Sequence, residues 1–317
     1  MLNLKFLNFF NFLKSIYFWL IFFIIFSFGI IFYKINKNNI NNKNNILILT
    51  TIRPITLALN KILDNIPDIE IKEISDNYMS NHMCFHDFSL TTSQVSDIEN
   101  SKAIIINNIL FESFINNLIK DKKNINLLDS SKNIEFIKYN NNYSNPYIWM
   151  SFNNYIQQIK NISEFLINIF SNNINIVNKN AENYILELKN NLDNYKNNFK
   201  KFNNKKVAVF SDEFDYMLSE LELIPVHLFN NNNNNIHMHD EMISAKNISE
   251  AIEKIKKNNF DFYLVSNQNK KYLDIINNSS NIKELKLSLI TDSNDIYIDK
   301  MQENMQKLYE ALLNAKY

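Results

Sequence analysis

Residues 178–201, NKNAENYILELKNNLDNYKNNFKK, are the stretch on which the fold turns. Tyr184, Leu188, Leu192, Tyr195 and Phe199 recur there every three or four positions, which lays one apolar stripe along a helix. A helix from Asn178 to Lys201 is long for a domain interior and suits a bridge between two halves. Upstream, the runs Ile46–Thr50 (ILILT), Ile69–Ile74 (IEIKEI) and Ala103–Ile106 (AIII) read as strands. Helical patterns lie between them, the first from Ile55 to Leu63 behind Pro54. Downstream the alternation restarts. Val207–Phe210 reads as a strand, Phe214–Leu223 as a helix and Pro225–Phe229 as a strand. Ile248–Lys257 reads as a helix with Asn247 as a candidate cap. Phe260–Val265 and Leu287–Ile290 read as strands, and Tyr297–Leu313 as a closing helix.

Strand alternating with helix implies parallel sheets covered by helices. The predicted class is α/β: two lobes of parallel sheet flanked by helices, bridged by one long helix, plus an N-terminal transmembrane helix. The expected organisation is 1–45 as a cytoplasmic stub, anchor or signal segment and polar tether, 46–177 as the first lobe, 178–203 as the linking helix and 204–317 as the second lobe.

Composition narrows the function. Lys+Arg and Asp+Glu are both 33, so the chain is formally neutral and has no electrostatic reason to bind nucleic acid. The single glycine is Gly29, inside an apolar segment, so no Gly-rich phosphate loop can form. Neither H-E-x-x-H nor G-x-S-x-G occurs, and an enzyme is not expected. Asn and Ile crowd the chain in the manner of an AT-rich genome, which weakens Asn as a turn signal. Cys84 is the sole cysteine and excludes an intrachain disulfide framework.

Ile16–Phe32 is apolar and uncharged, bracketed by Lys14 and Lys34. At ~1.5 Å per residue it spans roughly 26 Å, close to the hydrocarbon thickness. No small-residue cleavage site or lipoprotein cysteine follows it, which favours a retained signal anchor over a cleaved signal peptide. The polar stretch to Asn45 reads as a tether.

Four segments carry a family resemblance. They are Cys84–Gln94 (CFHDFSLTTSQ) with its continuation Ala103–Asn108 and Phe111-Glu112, Asn145–Ser151 (NPYIWMS), Val207–Tyr216 (VAVFSDEFDY), and Leu289–Asp292 (LITD) before the last helix. In order and spacing these resemble the solute-binding proteins that serve zinc and manganese ABC importers. That family shows Pro-His-Asp-Tyr then Leu-Thr-Pro-Ser-Asp, Asn-Pro-His-Val-Trp, Phe-His-Asp/Glu-Ala-Phe-x-Tyr, and Leu-Asp-Pro. The resemblance covers about Ile46 to Leu312. It implies a non-enzymatic, extracytoplasmic binding protein at the cell membrane, with an ABC permease as partner and a divalent zinc or manganese ion as ligand.

Residue by residue, the resemblance puts His86 on the first metal ligand. Tyr147 and Ser211 stand where the family has histidines. The closing carboxylate is Asp292 or has become Thr291, depending on register. Asp212 matches the acid after the third ligand. A Glu-x-Gln segment survives as Ser266-Asn267-Gln268 without its acid. The implied metal set is His86, Tyr147, Asp212 and Asp292, with Ser211 and Thr291 as further cleft residues. A phenol titrating near ~10 and a neutral hydroxyl are poor zinc ligands, and an oxygen-rich set leans towards harder ions such as manganese. Rebuilt metal binding, a different solute, and lost affinity with an anchored scaffold role all remain open. His82, Cys84 and His237–Asp240 are weaker candidates beside a loop reading, and His227 reads as structural.

Overall fold

The computed structural model describes residues 45–75, 88–112, 114–115, 126–139, 144–229, 243–266 and 270–315. His86, His82, Cys84, the Asn230–Asn235 run, His237–Asp240 and the apolar segment Ile16–Phe32 lie outside them. Among the described residues no helix is long and apolar enough to cross a membrane. The chain from Leu47 to Tyr317 forms one compact unit.

The first lobe holds β1 (Ile46–Thr50), α1 (Arg53–Ile62), β2 (Ile69–Glu73), α2 (Thr92–Asn100), β3 (Ala103–Ile106) and β4 (Leu127–Asp129). Its sheet runs β2-β1-β3-β4, and β3 pairs in parallel with both β1 and β4. All four side chains of β3 are buried, as expected of a strand covered on both faces. α2 starts at a reciprocal capping box between Thr91 and Gln94.

Helix α3 (Phe152–Ile169) leads through a 3-10 turn into α4 (Ile174–Phe199). α4 has 26 residues, so roughly 39 Å at about 1.5 Å per residue. It buries Val177, Ala181, Tyr184, Leu188, Leu192 and Phe199, the predicted stripe, against α1, α3 and the last helix. It begins four residues before the expected Asn178, and Val177 continues the same buried stripe towards the N-terminus.

The second lobe repeats the layout. It contains β5 (Lys206–Val209), α5 (Asp215–Glu220), β6 (Ile224–His227), α6 (Ala245–Asn258), β7 (Phe262–Val265), α7 (Lys270–Ser280), β8 (Lys283–Lys286) and α8 (Tyr297–Asn314). Its sheet order is β6-β5-β7-β8, parallel throughout.

Three local expectations are corrected. The last strand is Lys283–Lys286, not Leu287–Ile290. β8 lies at the sheet edge, so charged residues are tolerated in it, and the apolar run that follows turns away from the sheet into the core, reaching φ 62 at Ile290. Asn247 is not the cap of α6. Ser244 is, and Asn247 returns the second bond of a capping box from the third helical position. The helix after β5 is shortened at both ends, by a 3-10 turn at Asp212–Phe214 and by the left-handed Glu222.

With no glycine available here, left-handed positions fall to other residues. Among the described residues, five of the eight non-glycine residues with positive φ are Asn: Asn65, Asn133, Asn204, Asn259 and Asn281. Asn tolerates this region better than any other residue with a Cβ, so part of the Asn excess does conformational work.

Candidate metal centre

In each sheet the chain leaves the central pair in opposite directions. β1 is followed by β2 on one side while β3 and β4 fill the other, and β5, β6, β7 and β8 do the same. Such a reversal leaves a crevice at the carboxyl ends of the two central strands, where open α/β sheets bind ligands.

Each crevice holds a buried carboxylate spanning its two strand ends. In the first lobe Glu112 is fully buried. It accepts from the Thr51 hydroxyl, just past β1, and from the Asn108 N–H, just past β3, at 2.7 Å. Burial, which its hydrogen bonds only partly offset, pushes its pKa up to about 8. In the second lobe Glu213 is equally hidden. It accepts from Ser211 Oγ, just past β5, at 2.7 Å and from Ser266 Oγ, just past β7, at 2.9 Å. Burial raises its pKa too, against the pull of those serines. Neither carboxylate has an ion-pair partner among the described residues.

Asp212 faces a different set of groups. Its backbone carbonyl accepts from Asn145 Nδ2 at 2.7 Å, while its side-chain Oδ2 is buried with no hydrogen-bond partner among the described residues. Burial first, then the charges of Asp215 and Glu213, push its pKa up to about 7. Asp215 Oδ2 accepts from the Tyr139 hydroxyl and pairs with His227 Nε2 at 2.8 Å, and Asp215 Oδ1 is also unpartnered. Burial alone would lower the pKa of His227, but the bond to Asp215 and the two acid charges raise it. The structural reading of His227 thus gains a partner, Asp215.

The lobes meet along these strand ends. Arg53 Nη2 donates to the Asp295 carbonyl at 3.2 Å, and Trp149 Nε1 donates to the Leu289 carbonyl at 3.0 Å. Tyr216 Oη donates to the Asn145 carbonyl at 2.9 Å and accepts from the Ile137 N–H at 3.0 Å.

The residues singled out in the sequence fall in three places. Tyr147 opens the 3-10 turn Ile148–Met150, buried against Phe111 and Trp149 at ring distances of 6.2 and 5.4 Å. Ser211 and Asp212 flank the second crevice as described. Asp292 is exposed in a turn, where its Oδ1 accepts from the Asn294 N–H at 3.0 Å and its own N–H donates to Asp295 Oδ2 at 3.0 Å. Thr291 follows the strained Ile290, a β-branched residue at φ 62. Among the described residues, no group of three or more His, Cys, Asp or Glu side chains is arranged to hold a metal ion.

The sequence reading passed over Glu213, Tyr139 and Asp215. Glu213 had a usable signal, since it stands at the alanine of the Phe-His-Asp/Glu-Ala-Phe pattern. Tyr139 had none, because only folding brings it to Asp215.

Two parallel-sheet lobes joined by a long helix, with strand carboxyl ends meeting between them, define a helix-bridged α/β solute-binding protein. The model of the family "Zinc-uptake complex component A periplasmic" (ZnuA) matches residues 48–311, and the chain belongs to that family. No curated protein matches it. Among solved structures, a crystal structure of ZnuA shares 17% identity at a TM-score of 0.70, covering 84% of this chain and 98% of that one. The solute-binding protein FpvC of Pseudomonas aeruginosa, in complex with Ni2+, shares 16% at 0.72, covering 86% and 98%. A Cd-bound periplasmic metal-binding protein from Candidatus Liberibacter asiaticus shares 16% at 0.70, covering 84% and 99%. At these identities the likeness establishes the fold.

Proposed function

We propose that this chain is the extracytoplasmic solute-binding component of a divalent-metal ABC importer, held at the membrane by its N-terminal apolar segment. Zinc or manganese is the cargo and an ABC permease the partner. Residues 1–45 are the anchor and tether, 46–177 and 204–317 the lobes, and 178–203 the link. The cation donors are drawn from His86, Tyr147, Asp212 and Asp292, with Ser211 and Thr291 beside them.

The observation that carries this reading is the buried carboxylate of Asp212. Among the described residues, one of its oxygens has no hydrogen-bond partner at the junction of the lobes. A buried acid crowded by Asp215 and Glu213 is unfavourable, and a bound dication would offset that charge. The family match and two solved neighbours, one in complex with Ni2+ and one Cd-bound, point the same way.

A second reading has its own support. Tyr147 is packed between Phe111 and Trp149, and Asp292 is engaged in its own turn. These favour a paralogue that no longer binds metal and acts as an anchored scaffold. Calorimetric titration of the full-length chain in detergent with Zn2+ and Mn2+ separates the two. Saturable binding tighter than about 10 µM, weakened in His86→Ala, supports metal delivery; no such binding leaves the scaffold reading.

A further inference from the structure

We propose that His227 is a proton-operated clasp between the lobes, which holds Tyr139 and Asn145 of the first lobe on the second through Asp215. The inference goes beyond the metal-binding reading above and does not depend on it.

The contacts run without a break from the imidazole into the first lobe. His227 ends β6, and its Nε2 lies 2.8 Å from Asp215 Oδ2. The same oxygen accepts from the hydroxyl of Tyr139, which reaches across from the first lobe. Tyr139 Oη accepts in turn from Asn145 Nδ2 at 3.2 Å, and that amide also donates to the Asp212 carbonyl at 2.7 Å. Asn145 gives its own N–H to the Ile137 carbonyl at 2.9 Å, and the Ile137 N–H donates to Tyr216 Oη at 3.0 Å. Lys254 Nζ binds the His227 and Leu228 carbonyls at 3.1 and 3.2 Å, which fixes the strand end that presents the ring.

Exposure separates the two partners. The Asp215 side chain is 3% exposed and that of His227 21%, so the acid is shut away from water while the imidazole still exchanges protons with it. Among the described residues, the ionisable groups facing the ring are Asp215 and Asp212 at the start of α5, Tyr139 from the first lobe, and Lys254 from α6 with Glu250 beside it. Burial disfavours the imidazolium and Lys254 adds to that. The bond to Asp215 and the charges of both acids outweigh them and raise the pKa above 6.5. Tyr139 stays a donor throughout, because burial and then the same two acids hold its proton on.

The direction of the switch follows. With the proton on, Asp215 is a buried acid with a paired charge. With it off, Asp215 has no counter-ion among the described residues, stands beside Asp212, and has a second oxygen without a hydrogen-bond partner there. A buried acid in that state is unfavourable, and parting from Tyr139 opens it to water. The clasp is fully present below 6.5 and is lost as pH rises through the raised value. Binding proteins of two lobes release ligand by parting them, so this clasp eases release as pH rises.

Hydrogen exchange of the full-length chain in detergent, between roughly pH 5 and roughly pH 8.5 and corrected for the intrinsic rate, reads the clasp at the Ile137 and Asn145 amides. Protection there is expected to fall at least about threefold over that range in the wild type, and to stay level at the lower value in His227→Gln. A level wild-type profile overturns the proposal. So does a His227→Gln profile that falls as the wild type does, which is the result for a histidine that only packs. If His227→Gln does not fold, Tyr139→Phe cuts the link while leaving the His227–Asp215 pair. Its amide profile should be level although the imidazole still titrates by NMR above 6.5. A wild-type fall in protection in that variant equally overturns the proposal.

Discussion

Replacing Glu112 by Gln should flatten the pH dependence of stability. The carboxyl lies fully buried between Thr51 and Asn108, with its pKa raised from 4.5 to about 8. Below the ordinary value it is protonated in the folded and the unfolded chain alike, and contributes no pH dependence. Between 4.5 and about 8 the folded chain holds a proton that the unfolded chain has released, so stability falls as pH rises. Above about 8 both forms are ionised and the loss is complete. At about 1.4 kcal/mol per pH unit, moving from roughly pH 5 to roughly pH 9 costs the wild type about 4 kcal/mol through this one group. Glutamine has no proton to lose. Its carbonyl can still accept from the Asn108 N–H, and the Thr51 hydroxyl can turn to accept from the amide. Urea denaturation of both proteins across that range reads the difference. The other titrating groups, Asp212 and His227 among them, remain in both and cancel. Profiles that stay parallel to within about 1 kcal/mol would refute the reasoning and show that water or a counter-ion reaches Glu112.

Two further substitutions test how the lobes are joined. Glu220 on α5 accepts from Ser151 Oγ, the Phe152 N–H and the Asn153 N–H at 2.8, 2.8 and 2.9 Å, and so caps the first turn of α3. Glu220→Ala should cost about 2 kcal/mol in the denaturation midpoint at unchanged m-value, and a change under about 0.5 would show the cap to be idle. Tyr216→Phe strips the Ile137 N–H and the Asn145 carbonyl of their shared partner. A loss of about 1–3 kcal/mol, with faster amide exchange at Ile137, is expected, and unchanged exchange there would count against this contact.

Much of the fold could be read directly from residue order. The stripe Tyr184, Leu188, Leu192 and Phe199 admits only one helix, because burial repeats every 3.6 residues whatever surrounds it. Runs such as AIII at 103–106 admit only a covered strand once helices flank them. What failed was local. Leu287–Ile290 carries the apolar signal that Lys283–Lys286 lacks, yet pairing with β7 selects the charged run, since backbone hydrogen bonds do not depend on side-chain polarity.

The site divides the same way. Sequence by itself determined the family pattern, the bridge and the positions Tyr147, Ser211, Asp212 and Asp292 as departures from it, because motif order survives substitution. Only the tertiary structure decided what those residues touch. It turned Asp292 into its own loop, left an oxygen of Asp212 unpartnered, and set Glu112 and Glu213 across the two sheet reversals. The physical reason is distance along the chain. Thr51 and Glu112, or Glu213 and Ser266, lie more than fifty positions apart, and their hydrogen bonds exist only once parallel strands bring their ends together.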